Sequence, residues 1–210
     1  MIKDKKRKVH MMEGRPGHRM SKKLQLAFSE RRIRKRIYRM YARFRPYHLI
    51  GAIGGFLTAL TAIISLAVST SYYISAEWVI IVNMLLIGSN GLIATYFFGA
   101  FSATRDSLIK VGSLIAGIGL GFNILISILQ MAGVYVFVLA LLGALVMMAG
   151  VVIACIKFIM LFQRDAFVVV FCVFIFLGLL LSLFWTWASL ISGAGLGGLL
   201  IYFYVHNITY

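Results

Sequence analysis

Hydrophobic and polar positions change pattern sharply near residue 47. Before it, apolar residues come in ones to threes among arginines and lysines; after it, long apolar runs are broken only by short polar turns. A helix needs about 20 predominantly apolar residues to cross the hydrocarbon core of a bilayer. Breaks at charges, Gly/Ser/Trp clusters and polar turns then predict six such helices, over 48–69, 78–101, 108–130, 134–162, 166–185 and 188–205. The last two come from dividing one long uncharged stretch at Trp185-Thr186-Trp187. The predicted fold class is an all-α membrane protein: six transmembrane helices as three antiparallel hairpins, preceded by a basic amphipathic interfacial helix.

The segment ahead of the first run has its own period. On a helical wheel Ile33, Ile37, Met40, Tyr41 and Phe44 share a stripe about 100° wide with no basic residue in it. Arg31, Arg32, Arg34, Lys35, Arg36, Arg39, Arg43 and Arg45 fill the rest, and are the expected lipid-headgroup contacts. Ser29 is placed to cap this helix, Glu30 suits its first turn, and Pro46 is expected to end it. The expected domains are a flexible basic tail (1–20), a basic juxtamembrane helix (21–46) and a six-helix membrane domain (47–206).

Charge turns this pattern into an orientation. Of the 21 Lys and Arg residues, 17 lie in residues 1–45, and the net charge is +15. Positive charge favours the cytoplasmic side. With six spans, Arg105, Lys110, Lys157 and Arg164 fall on the same side as the tail, while Trp78, Trp185 and Trp187 fall at the opposite interface. Both termini are therefore expected in the cytoplasm, with the plasma membrane as the site and anionic lipids as partners. Lys157 is expected to reach the headgroups by snorkelling.

Three segments align: "FRPYHLI" from Phe44, "TRDSLIK" from Thr104 and "QRDAFVV" from Gln163. Their arginines are 60 and 59 residues apart. An aspartate at a helix start is favoured by the helix dipole, so Asp106 and Asp165 read as helix-start residues. The competing explanation is that spans of standard length impose a standard period.

The membrane body places Glu77, Asp106, Asp165, His48 and His206 at span ends. No base is expected near an intramembrane hydroxyl, and no metal cluster or phosphate loop is found, so an enzyme, a catalytic site and a cofactor are all disfavoured. Neutral polar residues remain. Thr58, Thr61 and Ser65 share a face of span one, Asn83 and Asn90 of span two, and Asn123, Ser127 and Gln130 of span three. They are the candidate polar cavity, weighed against hydrogen-bonding glue between helices. Spans four to six offer little to match beyond Ser182, Ser189 and Ser192. Small residues recur at four-residue steps, as in Gly51/Gly55, Gly91/Thr95/Gly99 and Gly193/Gly197, and mark close helix approach or self-association into a homo-oligomer or complex. Span five is bulky and is expected to face lipid. Cys155 and Cys172 are expected at equal depth and read as apolar filler.

Two functional readings follow. The first is a non-enzymatic multi-pass membrane protein acting as scaffold, regulator or complex subunit, with a lipid-binding basic tail. The second is a small transporter or channel for a neutral or zwitterionic solute or lipid, through a polar cavity between helices 1–3. Nucleic acid is a disfavoured partner: "KDKKRKV" at 3–9 has no stacking platform beside it.

Overall fold

The computed structural model describes residues 22–70, 76–104, 106–134, 137–162 and 165–206, with side chains from Arg45 onward except at Ala76 and Thr186. The tail 1–20, Arg105 and Arg164, and the side chains of the basic residues Arg31 to Arg43, lie outside that description. Contacts divide the chain into Met1–Arg39 and Met40–Tyr210, and the helix seams, ion pair and cavity described below lie in the second unit.

Among the described residues the protein is all-helical: α1 (Lys22–Ser69), α2 (Ala76–Ala103), α3 (Ser107–Met131), α4 (Phe137–Leu161), α5 (Ala166–Ser182) and α6 (Ser189–His206). A 3-10 turn at Thr186–Ala188 joins the last two. Five stretches are long and apolar enough to cross a membrane: Arg45–Ser69, Glu77–Ala103, α3, α4 and α6. Their outward faces carry large apolar side chains, Phe56, Phe98, Phe122 and Phe137 among them, as a hydrocarbon solvent requires.

Several expectations are corrected. Helix α1 begins at Lys22, so Ser29 lies inside it rather than capping it, and the helix runs through Pro46 instead of stopping there. A proline removes one N–H and crowds one carbonyl, a defect that neighbouring groups can absorb where a membrane helix is otherwise fully bonded. Helix α5 is 17 residues, shorter than 166–185. At 1.5 Å per residue it reaches about 25 Å against a core of about 30 Å. Its last N–H groups bond three residues back, as from Leu183 to Leu180 and Phe184 to Leu181, which tightens the end into the tryptophan turn. Nor does α5 face lipid all round. Val168, Cys172, Ile175 and Gly178 form a buried stripe at helical spacing, with Val173, Phe176 and Phe174 outside.

Glycine decides which helices touch. A methyl group added at Gly55 of α1 would lie 2.6 Å from the Gly197 nitrogen and 2.9 Å from the Gly193 oxygen of α6. Gly150 of α4 abuts the backbone of Ala116 in α3, Gly119 of α3 abuts Met147 of α4, and Gly178 of α5 abuts Ser192 of α6. These are backbone-to-backbone contacts that any Cβ would force apart. Between the seams sits a core of Ala116, Leu120, Val168, Ile175, Leu199 and Leu200. By contrast, Gly91 meets nothing within 4 Å.

The contrast is measurable by thermal unfolding in detergent. Gly55→Ala should lose about 1–3 kcal/mol by overpacking. Gly91→Ala should be neutral or gain up to about 1 kcal/mol, the helix propensity difference between the two residues.

Candidate functional site

One end of the bundle is held by charge. Asp106, immediately before α3, accepts the N–H groups of Leu108 and Ile109 at 3.1 and 3.2 Å. Its other oxygen meets Lys157 Nζ of α4 at 2.9 Å, so Lys157 is paired within the protein rather than snorkelling away from it. Partial burial pushes the Asp106 pKa up. The Lys157 hydrogen bond, the Ile109 and Leu108 N–H groups and the ammonium's charge outweigh that, and hold the carboxyl below its usual range. Asp165 caps α5 by accepting from Phe167 N–H at 3.1 Å, and the Tyr202 hydroxyl of α6 donates to its second oxygen at 2.6 Å. Arg45, the one expected headgroup residue with a described side chain, is exposed and places its guanidinium 5.3 Å from the Tyr204 ring centre. Aspartates read only as helix-start residues therefore also tie α3 to α4 and α5 to α6.

An aromatic layer lies inward from this charged end. His48 of α1 is buried, with its ring 5.8 Å from Tyr96 and 5.6 Å from Phe203. Tyr96 packs edge-on against Phe97 at 5.1 Å, and Phe203 against Phe158 at 5.3 Å. Rings from α1, α2, α4 and α6 thus fill the section between the charged end and the middle of the bundle.

Beyond the aromatic layer the bundle is hollow. A cavity of about 280 Å³ is lined by residues of all six helices. Four expected cavity residues meet there: Thr58, Asn90, Asn123 and Ser127. The other four do not line it. Thr61 and Asn83 are buried and bond to carbonyls of their own helices, those of Leu57 at 2.7 Å and Val79 at 2.9 Å. Ser65 and Gln130 are half-buried outside it. The cavity is also not confined to the first three helices. Ser182, Ser189 and Ser192 complete its polar lining, brought in by the tryptophan turn that ends α5 and starts α6. Their positions on either side of that turn were the available signal.

The lining is graded. Reading inward from the Ser182 end, α5 presents Ser182, Leu179 and Ile175; α6 presents Ser189, Ser192 and Leu196; α3 presents Ser127, Asn123 and Leu120. Polar groups thus sit at one end and hydrocarbon, with Phe97, at the other. The hydroxyl donors are occupied locally: Thr58 donates to Gly54 O, Ser127 to Asn123 O and Ser182 to Leu179 O. What they offer inward is oxygen lone pairs. The Asn123 amide reaches only the Met147 sulfur, at 3.6 Å, and the Asn90 amide makes no hydrogen bond among the described residues. The site combines acceptors from serine and threonine with donors from asparagine, and among the described residues its lining is made of amides, hydroxyls, a thioether and hydrocarbon, with no ionisable side chain.

The fold and site together define a helical membrane bundle with an uncharged, amphiphilic cavity. No family model matches the sequence, and no curated protein or solved structure matches it.

The ion pair yields a pH test. The folded pKa of Asp106 is depressed, so its contribution is complete above the unfolded value of about 3.9 and is lost as pH falls through the folded one. Lys157→Met should cost roughly 0.5–1 kcal/mol at pH 7, the range for a pair half open to solvent. Denaturation at pH 3 should show a smaller difference from wild type.

Proposed function

We propose that this is a non-enzymatic integral membrane protein that takes a small, net-uncharged, hydroxyl-bearing amphiphile into the cavity between its helices, and carries that molecule rather than converting it. The observation that carries the reading is the meeting of Thr58, Asn90, Asn123, Ser127, Ser182 and Ser192 in one hollow with an apolar floor. A ligand hydroxyl can donate to the serine and threonine oxygens and accept from the asparagine amides, which matches the donor and acceptor balance of the lining. A charged ligand would enter the bundle without a counter-ion in the lining.

In this reading the helices alternate in direction as three hairpins in the plasma membrane, with both termini cytoplasmic. The charge distribution supports it: Arg45, Lys110 and Lys157 lie at one end of the helical body, and the exposed Trp185 and Trp187 rings stack at the other. The arginines of residues 31–45 then rest on anionic headgroups. A scaffold or subunit role draws support from Gly91 and the exposed Thr95 on α2, where nothing among the described residues lies within 4 Å of a Cβ added at Gly91.

The direct test is binding of monobutyrin, a short-chain, water-soluble monoacylglycerol, to purified protein. Loss of two hydrogen bonds at roughly 1 kcal/mol each predicts that Asn90→Leu/Asn123→Leu weakens binding about 30-fold. The double variant should remain folded by circular dichroism. Unchanged affinity in a folded double variant, or no binding by wild type, would contradict the reading.

A further inference from the structure

The central cavity adjoins a second hollow. An apolar groove of about 240 Å³ lies between α4 and α5, and Val151, Ile175 and Leu179 line both spaces. This is the least closed of the seams between consecutive helices from α2 to α6. Helices α4 and α5 pack over less of their length than α2 with α3, α3 with α4, or α5 with α6. Their glycines are committed elsewhere, Gly143 and Gly150 to α3 and Gly178 to α6. No hydrogen bond or ion pair is needed to hold the shared wall, because its three side chains are aliphatic and interact by dispersion alone.

The groove's outer rim, Ile156, Val173 and Phe176, is exposed on the flank of the bundle. Helix α4 is long and apolar enough to cross a membrane, so the medium at this rim is acyl chain rather than water. The two spaces together are an uncharged polar chamber continuous with a hydrocarbon slot. The polar groups lie toward the Ser182 end, and the slot runs from Leu179 past Cys155 and Cys172 to Ile159, toward the Asp106–Lys157 end. That is the order of headgroup and chain in a lipid whose headgroup rests at the Ser182 end.

We propose that the α4–α5 seam is a lateral portal to the bilayer, and that the cavity's ligand is a lipid with one acyl chain and an uncharged hydroxylated headgroup, of the monoacylglycerol class. The headgroup lies against Asn90 and Asn123, and the chain lies across Val151, Ile175 and Leu179 into the groove. The proposal rests on the cavity being a binding site, and adds the route and the chain.

Two native cysteines make the portal testable. Cys155 and Cys172 line the groove from α4 and α5, one on each side of the seam. Oxidation by copper–phenanthroline, which removes two electrons and two protons from the thiol pair, would join the helices. The probe is a photoreactive diazirine analogue of monopalmitoylglycerol in phosphatidylcholine liposomes, read as labelled peptides containing Asn123 or Ser192. Monobutyrin, which can reach the chamber from water, is measured in parallel. In reduced protein the long-chain probe should label the cavity. Disulfide formation should abolish that labelling, dithiothreitol should restore it, and monobutyrin binding should persist throughout. Ile156→Trp, which fills the exposed rim without touching the core, should also abolish long-chain labelling. Long-chain labelling that survives both the disulfide and the tryptophan would overturn the portal and leave the cavity reading intact. Failure of both probes to reach the cavity in reduced wild type would overturn the portal and the cavity reading together.

Discussion

Close backbone approach at glycine is the constraint on which the bundle depends. Inside a bilayer the surrounding chains are as apolar as leucine, so helices gain little by burying hydrocarbon against one another. They gain by packing without gaps, and glycine allows the closest packing. Gly55 against Gly193 and Gly197 seals α1 to α6; Gly119 and Gly150 seal α3 to α4; Gly178 seals α5 to α6. Where no such contact exists, between α4 and α5, a groove remains. The hollow at the centre is thus an outcome of which seams glycine closes.

Charge and neutral polarity occupy opposite ends of this frame. Asp106–Lys157 and Asp165–Tyr202 each join two helices and satisfy the first N–H groups of α3 and α5. They fix one end of the bundle. The aromatic layer of His48, Tyr96, Phe97, Phe158 and Phe203 separates that end from the cavity. The cavity therefore receives no field from a paired charge in direct contact, and its amides and hydroxyls select for hydrogen-bonding capacity rather than for ionic charge.

Hydropathy made most of the fold legible. Helices α2, α3 and α6 begin and end within a few residues of the apolar runs that predict them, because span length is set by the bilayer and by nothing subtler. The helix through Pro46 and the early end of α5 were not legible. Both depend on how neighbouring backbone groups are satisfied, which a linear pattern does not carry. For the cavity, helical facing grouped Thr58, Asn90, Asn123 and Ser127, and these four line the hollow. It could not separate them from Thr61 and Asn83, which share those faces but lie outside the hollow. Ser182, Ser189 and Ser192 looked too few to matter because their helices are otherwise hydrocarbon; the turn at Thr186–Ala188 is what gathers them. Lys157 was read against lipid because its aspartate partner lies on another helix, 51 positions earlier in the chain.

The account's central claim is a hollow with a polar end that an uncharged amphiphile can fill. Its most direct test is a cysteine at Ser182, in a background lacking Cys155 and Cys172, treated with the small neutral reagent methyl methanethiosulfonate. The thiol should react readily, and saturating monobutyrin should slow the reaction. A thiol as inert as one placed at fully buried Ala116, or one whose reaction monobutyrin leaves unchanged, would contradict the claim.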